Sequence, residues 1–172
     1  MGPIILLILD GWGIAPKSKG NAIELAQKPN FDRLWKEYPH TQLCAYGKCV
    51  GLPKNNVGNS EAGHINIGAG RVFKQDAVLI SEAITDGRFK KNTAINQTIK
   101  HVNDNKSSLH LMGMISDHES PHSSLEHLYA LVDLAFSKNV KEIYLHLFTD
   151  GRDSPQFHAI PILEEVMKNV YG

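Results

Sequence analysis

The chain has 172 residues, 42% of them hydrophobic and 21% charged, which is the composition of an ordinary soluble globular protein with enough length to bury a core. Its 18 lysines and arginines balance 18 aspartates and glutamates, and a net charge of zero argues against nucleic acid or a membrane surface as a partner. The longest apolar stretch, Ile4 to Leu9, is too short for a bilayer and lacks the basic leader and cleavage site of a signal peptide, so a cytoplasmic location is expected.

Pro3 to Leu9 is a continuous apolar run ending in Asp10-Gly11-Trp12-Gly13, the pattern of a strand buried on both faces with a carboxylate at its carboxyl end. Asn21 to Tyr38 has helical spacing, interrupted near Pro29, which suits the first turn of a second helix. Thr41 to Tyr46 is a candidate strand. Cys44 and Cys49 lie beside it; a lone Cys-x4-Cys lacks the further ligands zinc requires, and two reduced thiols are expected. A loop rich in glycine and asparagine, 51–58, leads to Ser60, where a short helix to Gly68 is predicted. Helical periodicity returns over Asp76 to Ile84 and Thr93 to Val102. Leu109 to Ile115 reads as a strand, Ser123 to Phe136 as an amphipathic helix, Glu142 to Phe148 as a strand and Pro155 to Val170 as a helix kinked at Pro161. Strands alternating with helices, with polar clusters after the strands, predict an α/β fold in which a parallel sheet is layered with flanking helices.

Ligands of such sheets bind at the carboxyl ends of the strands, and four clusters along the chain are candidates for chemistry. Asp10 is either a metal ligand, with glycines allowing close approach, or a turn aspartate bonded to the next amides. Ser60 opens a helix after a loop, so it is either a helix cap or a nucleophile activated by a base or metal, with backbone amides aimed at an anion. The third cluster is Ser116-Asp117-His118-Glu119-Ser120-Pro121-His122-Ser123, and the fourth is Asp150-Gly151-Arg152-Asp153. They follow two strands of one sheet and should converge. Arg152 can clamp a phosphate or carboxylate while Asp153 takes hydroxyls; His122 either bonds the same anion or caps the next helix. His118, His127, His146 and His158 read as scattered surface or core histidines.

These blocks, taken in order, resemble the N-terminal part of the cofactor-independent phosphoglycerate mutases. The resemblance runs from Leu9-Asp10-Gly11-Trp12-Gly13 through Gly20-Asn21-Ala22-Ile23, Pro29-Asn30-Phe31-Asp32 and Val50-Gly51-Leu52-Pro53. It continues through Gly58-Asn59-Ser60-Glu61-Ala62-Gly63-His64, Asn66-Ile67-Gly68-Ala69-Gly70-Arg71, Leu111-Met112-Gly113, Ser116-Asp117 and Asp150-Gly151-Arg152-Asp153. It implies an isomerase of glycolysis and gluconeogenesis that interconverts 3-phosphoglycerate and 2-phosphoglycerate without bisphosphoglycerate, using two divalent metal ions, usually manganese. It further implies that Asp10 and Ser60 ligate metal, that Ser60 becomes a phosphoserine intermediate, and that His122, Arg152 and Asp153 grip phosphoglycerate. By the same resemblance, residues 1–75 would begin a metal-binding, alkaline-phosphatase-like domain, and residues 76–172 would form part of an inserted α/β transferase domain.

Two departures qualify what is expected. The family's run is similar to Ser-Asp-Gly-Gly-Val-His-Ser-His; here one residue is inserted, His118 and Glu119 replace the glycines, and Ser124 stands where a second histidine is expected. The resemblance also covers under half of a full-length member, whose remaining metal and substrate ligands lie elsewhere, and two metals need more ligands than Asp10 and Ser60. The chain by itself is therefore expected to lack mutase activity, or to act as a non-catalytic or complementing fragment with a C-terminal segment as partner. The other reading is a different phosphatase or mutase of the alkaline phosphatase superfamily.

Overall fold

The computed structural model describes residues 2–116, 120 and 122–171. Asp117, His118, Glu119 and Pro121, on which part of the loop reading falls, lie outside the described residues. The chain divides into two compact units, Met1–Cys44 and Ala45–Gly172.

In the first unit, Asn21 caps helix α1 (Ala22–Leu25), its side chain accepting from the Glu24 amide at 3.2 Å and donating to the Ala15 carbonyl at 3.0 Å. Helix α2 (Pro29–Glu37) follows, with Pro29 in its first turn, where a missing N–H costs nothing. Trp12 packs on Phe31 with ring centroids 5.1 Å apart, Phe31 on Trp35 at 5.5 Å, and Trp35 stacks on His40 at 3.8 Å. The expected strand over Pro3 to Leu9 is not formed: the segment has no regular secondary structure and lies outside any ladder, with Ile4 99% exposed. A strand buried on both faces needs hydrogen-bonded neighbouring strands, and no strand among the described residues pairs with this segment. Thr41 to Tyr46 is likewise irregular. Cys44 and Cys49, expected as reduced thiols, are both disulfide-bonded.

The second unit contains α3 (Ser60–Ala69), α4 (Asp76–Thr85), α5 (Thr93–Asn105), β1 (Leu109–Ile115), α6 (Leu125–Ser137), β2 (Ile143–Thr149) and α7 (Ala159–Tyr171). Strands β1 and β2 pair in parallel, with Leu109 opposite Ile143 and Ile115 opposite Thr149. A parallel neighbour requires a long crossover, which α6 provides. Alternation along the strands sends Leu109, Leu111, Ile115, Leu145 and Leu147 to one face. There Leu109 joins Ile99, Val102, Leu134, Ala135 and Val140 in one core cluster, while Ile115 joins Leu125, Ile162 and Val166 in another. The opposite face, with Met112, Tyr144 and Phe148, is exposed among the described residues. Helix α7 starts at Ala159, so Pro161 is its third residue; the first-turn amides have no intrahelical acceptor, and the proline fits there instead of kinking the helix interior.

Candidate functional site

Ser60 is delivered by a loop that only glycine permits at two points. Gly51 has φ +74°, and a Cβ on it would overlap the Phe73 carbonyl; a Cβ on Gly58 would overlap the carbonyl oxygen of Ala45. Asn59 then caps α3, its side-chain oxygen accepting from the Ala62 amide at 2.8 Å. The cap is therefore Asn59 and not Ser60, which stands at the first helical position with its side chain on the exposed surface. The simplest structural explanation for that serine is removed. Asn66, in the motif after Ser60, braces the same region: its amide donates to the carbonyls of Val50 at 3.0 Å and Ala62 at 2.6 Å.

The third and fourth clusters do meet. Because β1 and β2 are parallel neighbours in register, their carboxyl ends lie side by side. Ser116, directly after β1 and 1% exposed, donates its hydroxyl to the Asp150 carboxylate at 2.5 Å. Asp150, directly after β2, also accepts from the backbone amides of Arg152 at 2.8 Å, Asp153 at 3.0 Å and Ser154 at 2.9 Å. That pattern winds the turn Gly151-Arg152-Asp153 around one carboxylate and holds Arg152 and Asp153 at the sheet end with exposed side chains. The Ser116 hydroxyl and then the amides favour the ionised form, which brings the Asp150 carboxyl from 3.8 down to about 2.

Ser120, 4% exposed, closes the arrangement. Its hydroxyl donates to the Asp153 carboxylate at 3.1 Å and accepts from the His122 backbone amide at 3.2 Å. Its carbonyl accepts from the side-chain amide of Asn56, in the loop before Ser60, at 2.9 Å. His122 is exposed, and Ser124, not His122, stands at the N-cap position of α6, with no side-chain capping bond. The loop bearing His122 and the turn bearing Arg152 and Asp153 thus belong to one hydrogen-bonded group. Sequence reading assigned no role to Ser116, Ser120, Asn56 or Asp150. The one available signal was the strand-end Asp-Gly pair, which favours a side-chain-capped turn.

Asp10 stands in the first unit at a turn where the Trp12 amide bonds the Leu9 carbonyl at 3.2 Å and Gly11 has φ +72°. A divalent cation takes six or more oxygen ligands, or at least four donors for zinc. Among the described residues no group of three or more His, Cys, Asp or Glu side chains gathers to hold a metal. The residues described do not by themselves fit the two-ion site expected from the resemblance. No helix among the described residues is long and apolar enough to cross a membrane.

Residues 80–171 match the family described as BPG-independent PGAM N-terminus. Among curated relatives, the 2,3-bisphosphoglycerate-independent phosphoglycerate mutase of Clostridium acetobutylicum is 49% identical over 164 residues, covering 95% of this chain and 32% of that protein. The enzyme of the same name from Clostridium tetani is 49% identical over 171 residues, 98% of this chain and 33% of the relative. That from Listeria monocytogenes is 45% identical over 168 residues, again 98% and 33%. The chain spans about a third of the length of the curated relatives it matches.

Proposed function

The chain belongs to the family of BPG-independent phosphoglycerate mutase N-termini, and from that premise we propose that it serves the interconversion of 3-phosphoglycerate and 2-phosphoglycerate. Residues 76–172 hold the phosphoglycerate as part of an inserted transferase domain, and residues 1–75 begin a phosphatase-like domain carrying Asp10 and Ser60. The family match beginning at residue 80 supports a boundary in that region. A cytoplasmic location and manganese as the activating ion come with this reading.

The observation that carries it is the convergence of Arg152, Asp153 and the His122 loop at the carboxyl ends of β1 and β2. An exposed guanidinium beside a carboxylate suits a ligand bearing both a phosphate and hydroxyls: Arg152 takes the anion, Asp153 a hydroxyl, and His122 a further oxygen. Ser60 then attacks the phosphorus. Its Oγ–P bond forms as the substrate P–O bond breaks, and the glycerate oxygen takes up the proton that Ser60 gives up. The reverse transfer places the phosphoryl group on the other glycerate hydroxyl.

One observation favours a narrower reading alongside it. Because no three-ligand cluster gathers among the described residues, the chain's own contribution is to bind and present substrate, with a complementing C-terminal segment supplying the remaining ligands. One experiment tests both. The protein is mixed with manganese and 3-phosphoglycerate, conversion is followed by phosphorus NMR, and Ser60 phosphorylation by mass spectrometry. Binding without turnover supports the narrower reading; turnover with phosphorylated Ser60 supports the full one. Conversion that persists in Ser60→Ala rules out Ser60 as the phosphoryl acceptor.

A further inference from the structure

We propose that Ser120 is a positioning residue that sets the geometry of the substrate contacts by joining three segments through one buried side chain and its carbonyl. The inference rests on the reading that His122, Arg152 and Asp153 hold phosphoglycerate, and it assigns work to a residue that neither that reading nor the sequence motifs single out.

A serine hydroxyl has one donor and two acceptor sites. At Ser120 the donor goes to the Asp153 carboxylate at 3.1 Å and one acceptor to the His122 amide at 3.2 Å. Two segments separated by some thirty residues of chain therefore share one oxygen. The Ser120 carbonyl takes the Asn56 amide at 2.9 Å, and Asn56, itself 6% exposed, also accepts the Gly47 amide on its carbonyl at 3.1 Å. The His122 loop is thereby fixed to the segment that leads through Gly58 and Asn59 into Ser60. Since both Ser120 and Asn56 are buried, water does not readily replace the bond between them, while the two bonds of the hydroxyl are part-buried and reach out to the exposed residues His122 and Asp153. The run this loop resembles has glycines and a valine between its aspartate and its histidine. The hydroxyl is thus a feature of this chain's longer loop.

The test compares the protein with Ser120→Ala and Ser120→Thr, the latter restoring the hydroxyl. Calorimetric titration with 3-phosphoglycerate is expected to show affinity about tenfold weaker for S120A, the size of one charged hydrogen bond, and S120T within about threefold of the parent. Parent-like affinity in S120A overturns the proposal, and so does equal loss in both variants with unchanged melting temperature. Should S120A not fold, the same titration is read on Asn56→Ala, where unchanged affinity is again the overturning result. If the parent itself binds no 3-phosphoglycerate, the substrate reading fails separately. The positioning claim is then read from the His122 amide by NMR: faster exchange in S120A but not S120T sustains it, and unchanged exchange overturns it.

Discussion

Asp150 winds the turn that presents Arg152 and Asp153 around its own carboxylate. It accepts hydrogen bonds from the Ser116 hydroxyl and from three successive backbone amides, and its ionised form is the stronger acceptor for the turn presenting Arg152 and Asp153. Its folded-state value of about 2 lies below the ordinary 3.8, so the unfolded chain binds this proton more readily. The stabilisation it gives is accordingly complete above 3.8 and is lost as pH falls through about 2. In Ser116→Ala the strongest of these interactions is gone, and the Asp150 carboxyl midpoint, followed by carbon NMR, is expected to rise toward 3.8. An unchanged midpoint means the hydroxyl contributes nothing to the carboxylate. At Gly58 the constraint is steric: its hydrogen faces the Ala45 carbonyl so closely that a methyl group must displace backbone. Gly58→Ala is expected to cost roughly 1–3 kcal/mol in urea unfolding and to shift the Ser60 amide resonance.

At the scale of elements, the site is a consequence of the β1–α6–β2 unit. Parallel pairing puts both strand ends on the same edge, and α6 covers one face through Leu125, Val132, Leu134 and Ala135. Ile115 is the last residue of β1, 1% exposed, and packs with Leu125, Ile162 and Val166 directly beneath Ser116. Truncating it to alanine removes buried methyl groups from a place where three elements meet, for an expected loss of about 2–5 kcal/mol in chemical unfolding. The same variant is expected to weaken protection of the Arg152 and Asp153 amides, because the floor of the turn is disturbed. Stability loss with no change at those amides separates the core from the site. The periodicities of α5, α6, β1 and β2 were legible in sequence because each is a local pattern of apolar residues facing one core.

Across the whole molecule, order is unevenly distributed. The apolar run Ile4 to Leu9 has the composition of a core strand yet is solvent-exposed and unpaired with any strand among the described residues, whereas β1 and β2 are paired throughout. Amide hydrogen exchange is expected to be fast over residues 4–8 and slow over 110–114 and 144–148, since protection requires a bonded and covered amide. Slow exchange in residues 4–8 means that this run has found a partner, such as a second copy of the chain, and concentration dependence of that protection identifies the self-association. The reading of residues 3–9 as a strand failed for a reason of the same scale. Hydrophobic composition signals a need for burial, while a ladder forms only when another segment supplies its hydrogen bonds.

In the second unit the helices, the strands and their parallel pairing could be read from local alternation of apolar residues, and the family from motifs kept in order and spacing. Asp150-Gly151-Arg152-Asp153 stood out as a candidate turn because its residue types are chemically specific. That Asn59 and not Ser60 caps α3, and that one buried serine joins His122, the Asp153 turn and the Asn56 loop, became visible once the chain was folded. Those facts depend on contacts between residues distant in the chain, where a serine carries no signature until its neighbours in space are known.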